Sequence, residues 1–304
     1  MKKEVIEVDK KKGVYRITLP DERWYTMTSL DKETGLPIYR FVPSVTWITS
    51  YVFKGIGYYK WLANLGWDES EAVKNEAGDR GSKIHSAIER LINGVTVKME
   101  DKFYSKLTDQ EEELNVEEYN ALCSFKAWCD EAKPEFILKE TTVISKAFEF
   151  AGTVDCLAKI DGQLYIIDWK SSQYVWPSME AQLSAYKQAL LEMGEKVAGA
   201  KLAVLQVGYK RNKRGWKFTE VEDQFKTLFL AARAFWKKEN KDKGPKQMEL
   251  PLSLKLKTAP EGPEKKKVQE TLVKAVKTPV KAPQTPKKGT PVPKQPKKPN
   301  KTTK

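Results

Sequence analysis

Two apolar runs joined by Asp161-Gly162 constrain this chain more than any other feature. FEFAGTVDCLAKI and QLYIIDWK are rich in the β-branched and aromatic residues that suit a buried strand. The dipeptide between them is a strong hairpin signal, because it supplies the positive-φ positions of a tight two-residue turn. The two runs are therefore expected to pair antiparallel. Asp155 then lies on one strand and Asp168 on the next, thirteen residues later. Facing residues in such a pair come within about 5 Å, so both carboxylates can reach one ion. Lys170 is two residues beyond Asp168 and points to the same face.

The flanking segments extend this hairpin into an α/β unit. PEFILKETTVIS reads as a strand before it, and a helix from about Pro177 to Met193, closed by Gly194, follows it. KLAVLQVGYK and WKFTEV read as two more strands, and VEDQFKTLFLAARAFWKKEN as a final helix. Upstream, Tyr15 to Phe41 reads as a strand pair around LDKETGLP, and Pro43 and Ser44 are placed to open a short helix. An aromatic-rich helical stretch runs to about Trp67. A helix over Asp79 to Asn93 carries Ile84, Ile88, Leu91 and Ile92 on one face. Another over Asp109 to Ala132 has Tyr119, Leu122, Phe125 and Cys129 as its expected buried stripe. The order αβββαβ implies a mixed sheet with one parallel crossover, flanked by helices.

Charge is unevenly distributed. Gly244 to Lys304 holds 16 Lys and 4 Glu of the chain's 54 basic and 41 acidic residues, which leaves 38 against 37 before it. Of the net charge of +13, +12 thus belongs to the tail, and the part before it is nearly neutral. The tail has no aromatic residue and is dominated by Lys and Pro, so it is expected to be disordered. The expected divisions are 1–75 (strand pair and aromatic helical part), 76–243 (core) and 244–304 (tail). Three cysteines, Cys123, Cys129 and Cys156, form no C-x-x-C pair, which argues against a disulfide framework, a zinc site or an iron–sulfur cluster. No apolar run approaches the ~20 residues that span a membrane, and the N-terminus does not resemble a secretion signal. A cytoplasmic location is the expectation.

Two carboxylates beside an amine form a hard-oxygen donor set suited to Mg²⁺ or Mn²⁺. AGTVDCLAKIDGQLYIIDWKSS followed by QLSAY resembles the RecB-like branch of the PD-(D/E)XK nucleases. That branch shows G-x-x-D, then D/E-x-K, then Q-x-x-x-Y, matched here by Gly152 and Asp155, Asp168 and Lys170, and Gln182 and Tyr186. RGSKIHSAIE resembles its R-G-x-x-x-H-x-x-x-E helix through Arg80, Gly81, His85 and Glu89, and VPSVTWI an element of phage and mitochondrial genome maintenance exonucleases. Val154 stands where the superfamily name implies Pro, and no P-loop helicase motif occurs.

The resemblance implies a restriction-endonuclease-like core and metal-dependent hydrolysis of DNA phosphodiesters, with single-stranded DNA or DNA ends as the leading substrate. It implies catalysis by Asp155, Asp168 and Lys170, and metal ligation by His85, the two Asp residues and the Trp169 carbonyl. Gln182 and Tyr186 would support the site or touch DNA, as would Arg80. The rivals are a structure-specific endonuclease and a catalytically silent DNA-end or clamp-binding protein on the same fold.

Several residues admit two readings. His85, the only histidine, could be a ligand or a hydrogen-bonded boundary residue. Glu140 could approach the ion or be an exposed strand acid. Glu89 suits a helix-surface acid or a group just outside the ligands. Ser44 and Thr46 could bind phosphate, while capping by Ser44 is the simpler role. Aromatics from Trp24 to Trp67 are either core or a stacking platform for unpaired bases. Gln247-Met248-Glu249-Leu250-Pro251-Leu252 resembles the hexapeptide by which bacterial replication proteins dock on the sliding clamp, with Gln247, Leu250 and Leu252 as its anchors. The Lys/Pro run after it would add salt-sensitive DNA affinity.

Overall fold

Asp161 and Gly162 both have positive φ, 47° and 84°, the backbone signature of the hairpin turn that the sequence requires. Around them strands β8 (Phe150–Ile160) and β9 (Gln163–Lys170) pair antiparallel from Ile160↔Gln163 to Cys156↔Ile167. This hairpin is the centre of a computed structural model that describes residues 4–9, 14–18, 22–30, 37–52, 54–240 and 244. All of them lie in one compact unit, Met1–Pro251. The tail, with its clamp-like peptide at Gln247, Leu250 and Leu252, lies outside the described residues.

Going along the chain, β1 (Glu4–Asp9), β2 (Val14–Thr18), β3 (Arg23–Leu30) and β4 (Pro37–Pro43) form an antiparallel sheet in that order. The expected strand pair is thus a four-stranded meander, because Glu4–Asp9 also pairs although acids interrupt its apolar residues. Helices α1 (Val45–Thr49), α2 (Gly55–Leu65) and α3 (Trp67–Ile92) follow. As expected, Ser44 caps α1, accepting the Trp47 N–H at 3.1 Å.

α3 begins twelve residues before the expected Asp79. Its first part buries little, so no apolar stripe betrays it. Helix-favouring Glu, Ala and Lys carry it, with Asp68 and Glu69 complementing the positive end of the helix dipole. β5 (Lys102–Ser105) and β6 (Gln110–Glu113) form a small hairpin where a helix start was expected. α4 (Val116–Ala132) starts later, at a capping box in which Asn115 and Glu118 exchange side-chain and backbone hydrogen bonds. Its buried face holds Ala121, Leu122, Phe125 and Trp128, while Tyr119 and Cys129 are only partly buried. The expected stripe is therefore rotated by about one residue toward Trp128.

Then come β7 (Glu135–Ser145), β8, β9, α5 (Pro177–Glu192), β10 (Lys201–Val207) and β11 (Trp216–Val221). A π-helical turn, Phe225–Phe229, runs into α6 (Leu230–Glu239). The main sheet has the order β11-β10-β9-β8-β7, antiparallel except for β9 with β10, which α5 connects as a crossover. Two apolar clusters cover its faces. Leu157, Ile166, Leu202 and Val204 pack with α5, α1 and the Phe229–Trp236 region. Cys156, Ile167, Trp169 and Leu205 pack with Ile84 and Ile88 of α3 and Phe125 and Trp128 of α4. The result is the mixed α/β core of the restriction-endonuclease type. Residues Ile17 and Trp24 of the first sheet share the α5-side cluster. No helix among the described residues is long and apolar enough to cross a membrane.

Candidate metal centre

The β8–β9 ladder stops one step short of the pair that would set Asp155 opposite Asp168. From there β9 continues beside β10, as far as Lys170↔Gln206, and β8 continues beside β7. The side-chain alternation of β8 also changes at this point. Val154 and Leu157 belong to the α5-side cluster, whereas Cys156 and Ala158 belong to the other. Strict alternation would put Val154 and Cys156 on one face. On the neighbouring strand Glu140, opposite this switch, has φ 40°, a left-handed conformation that costs a non-glycine residue about 1–3 kcal/mol.

The irregularity opens a place for polar groups inside an apolar sheet. Asp155 and Asp168 are 6% and 1% exposed. The Trp169 N–H, at the point where the ladder has ended, donates to Asp155 Oδ2 at 3.0 Å. The Gln182 amide of α5 donates to Asp168 Oδ1 at 2.9 Å and to the Tyr186 hydroxyl oxygen at 3.0 Å. Lys170 Nζ lies 2.6 Å from Asp168 Oδ2. At that distance the ammonium and the carboxylate form a charge-assisted pair, so the amine is held against the buried acid.

From the other side of the sheet His85 of α3 reaches in. Its Nε2 is 3.0 Å from the Trp169 carbonyl, and its Nδ1 is 3.6 Å from Asp155 and 3.9 Å from Glu140. If Nε2 donates to that carbonyl, Nδ1 carries the lone pair and faces the carboxylates. A backbone carbonyl fixes metal-binding histidines in this manner. One ligand atom from each of His85, Glu140 and Asp155 lies within 4.8 Å of the others. Of the two readings its strand position allowed, Glu140 thus takes the one beside the ion site, and its own backbone is the strained one.

The electrostatics fit a missing positive charge. Burial is the largest influence on Asp168 and pushes its carboxyl up to about 6, against the opposing pull of Lys170. Burial raises Asp155 as well, with His85 and Lys170 pulling the other way. His85 and Lys170 are both held above their ordinary values: burial is the largest single influence and would lower them, but the surrounding carboxylates together outweigh it, Asp155 and Glu140 at the imidazole and Asp168, Asp155 and Glu140 at the amine. Carboxylates buried with a deficit of positive charge suit a divalent cation, and oxygen atoms with one imidazole are a donor set such an ion accepts.

Other expected site residues lie apart from this cluster. Arg80 pairs with Glu117 at 3.3 Å, and Glu89 is exposed. Ser44 is buried and bridges to Ala151 of β8, but its hydroxyl serves as the α1 cap and bonds Thr46. Cys123, Cys129 and Cys156 are exposed, partly buried and buried respectively. Two supports were not anticipated. Gly152 passes so close to Tyr186 that a Cβ there would sit 2.6 Å from the ring. Gln206, beside Lys170 in the sheet, donates to the Ser172 carbonyl and ties down the segment after the D-x-K motif.

No curated protein matches the chain significantly. A family model described as the PD-(D/E)XK nuclease superfamily matches residues 58–287. That span contains the hairpin, the cluster around Asp155 and Asp168, and the helices that buttress it, so this chain belongs to the PD-(D/E)XK nuclease superfamily, whose members use divalent metal ions.

Proposed function

We propose that the protein hydrolyses DNA phosphodiesters at the Asp155–Asp168–Lys170 cluster with Mg²⁺ or Mn²⁺, as an exonuclease on single-stranded DNA or DNA ends. The observation that carries this is the gathering of His85, Glu140 and Asp155 ligand atoms within 4.8 Å of one another, with the buried Asp168 and the Lys170 amine paired with it following on the next strand. Asp155, Asp168, His85 and the Trp169 carbonyl would hold the ion, with Glu140 as a further donor. Such an ion polarises the phosphate and makes bound water acidic enough to attack at neutral pH.

The chain's own residues do the rest. Lys170, 22% exposed at its side chain, presents a positive charge where solvent enters. There it offsets the charge that develops on the phosphate and orients the attacking water. Gln182 fixes Asp168 Oδ1, and Tyr186 backs Gln182, so the carboxylate cannot rotate freely. By the resemblance, the products are expected to carry 5′-phosphates. The RecB-like order of motifs favours action at ends, and the clamp-like peptide at Gln247, Leu250 and Leu252 favours work in replication, recombination or repair.

End-labelled linear and covalently closed circular DNA, single- and double-stranded, tests this with Mg²⁺, Mn²⁺ or chelator. Stepwise shortening of linear single strands with metal only is expected. Cutting of circles would assign a structure-specific endonuclease. Binding without cleavage under every condition would assign a silent DNA-binding protein.

A further inference from the structure

Among the described aromatic residues before Trp67, some are core and some are not. Trp24 and Tyr25 are buried, and Trp47 packs edge-on against Trp24 and Trp236, so these are core. Tyr58 and Trp61 are not. They sit on α2, a helix that buries none of its residues, and line a cleft of about 450 Å³ with Trp176 on its other side. Trp176 is 44% exposed. The Tyr58 and Trp61 rings lie 5.7 Å apart and tilted by 36°.

Two lysines stand at the same cleft. Lys54 Nζ lies over the Tyr58 ring at 4.9 Å. Lys74 Nζ is 3.5 Å from the Tyr58 hydroxyl and also pairs with Glu71. The floor reaches Ser178, one turn of α5 before Gln182, which holds Asp168. Four residues are about 6 Å along the axis, so the cleft's lining lies one helical turn from the Gln182 support of the candidate metal centre.

We propose that this cleft is a base-binding subsite: an unpaired nucleotide of the substrate strand stacks among Trp176, Trp61 and Tyr58, while Lys54 and Lys74 face the flanking phosphates. The identity of the ligand rests on the nuclease reading above. Every base has a π-face, so aromatic stacking grips a strand without reading its sequence. A base inside a duplex has its faces covered by neighbours and cannot enter. The subsite therefore selects single strands close to the cleavage point. The mixture of apolar walls and two ammonium groups matches a nucleotide, which is flat and apolar on its faces and anionic at its backbone.

Binding in chelator tests the subsite apart from hydrolysis. The ligands are a ten-nucleotide single strand, the same strand with an abasic site scanned along it, and a blunt duplex. Wild type is expected to bind the intact strand best and to lose roughly 10-fold when the abasic position falls in the cleft. Trp176→Ala should weaken the intact strand by a similar factor and remove the abasic effect.

Gly57→Leu supplies a second variant that keeps its fold. Gly57 lines the cleft, and a Cβ there meets nothing within 4 Å, so leucine fills the space and favours the helix. Its melting temperature should hold while strand binding falls. Wild-type binding by a folded Gly57→Leu protein, or equal binding of intact and abasic strands by wild type, would overturn the proposal. Absence of metal-dependent cleavage with this binding intact would instead remove the nuclease reading.

Discussion

Gly152→Ala is the smallest substitution that reaches the candidate metal centre through packing alone. The added methyl would stand 2.6 Å from Tyr186 Cε1 and 3.3 Å from Val45 Cγ2. Ordinary contacts begin at about 3.4 Å, so the ring must retreat by most of an ångström. Tyr186 is 3% exposed and packed among α5 and β8 residues, and it has little room to do so. Overpacking of this kind costs roughly 1–3 kcal/mol. For a folded unit of this size that lowers the melting temperature by about 2–4 °C per kcal/mol.

The assay is thermal or urea unfolding of wild type, Gly152→Ala, Tyr186→Ala and the double variant. With the ring gone, alanine at 152 should become neutral or gain about 0.5–1 kcal/mol from reduced chain entropy. The two substitutions should therefore be strongly non-additive, with a coupling of about 1–3 kcal/mol. Cleavage should fall in Gly152→Ala as well, since the Tyr186 hydroxyl backs the Gln182 amide that holds Asp168. Additive effects, or no destabilisation in the wild-type background, would refute the close approach of β8 and α5 beneath the site.

Further outcomes follow from the charges. Asp168 has its carboxyl raised to about 6 by burial, so the folded, ion-free protein holds a proton there that the unfolded chain releases near 3.8. Its contribution is favourable at low pH and is lost as pH rises through 6, by at most about 3 kcal/mol. In chelator, unfolding at pH 5 and pH 8 should show wild type losing ground to Asp168→Asn at the higher pH. A pH-independent difference between the two would contradict the burial of that carboxylate. Mn²⁺ should raise the melting temperature of wild type and do so far less for Asp155→Asn. Equal shifts would place the ion elsewhere. Lys83, 6% exposed, pairs with Asp79, Glu112 and Glu118 at 2.7–3.5 Å, and Asp79 and Glu118 are themselves buried. Lys83→Met should destabilise the protein by about 3 kcal/mol in urea unfolding, because it strands buried carboxylates; a loss below 1 kcal/mol would show them to be solvated.

What the sequence made legible was local. The hairpin, the strand order around it and the shared face of Asp168 and Lys170 follow from turn chemistry and a period of two. Cofactor-class chemistry followed from having hard oxygen donors there. Features that depend on departures from regularity were not legible. Glu140 was readable as a possible approach to the ion, but the left-handed backbone with which it comes within 3.9 Å of His85 was not. The early start of α3 left no apolar stripe to read, and the true start of α4 was written in Asn115-x-x-Glu118 but masked by an acidic run that looked helical. Glu89, one turn beyond His85, is exposed as a helix-surface acid would be, whereas the pairing of Arg80 with Glu117 needed the tertiary fold. The aromatic residues of the first segment could be sorted into core and cleft only by the tertiary fold.

The central claim is that Lys170 serves chemistry at a cation held by its neighbours. The direct measurement is Mn²⁺ binding and single-strand cleavage by Lys170→Ala, side by side with wild type. Retained ion binding with cleavage reduced by at least ~100-fold is predicted, as for loss of a group that stabilises developing charge. Cleavage at the wild-type rate would contradict the account.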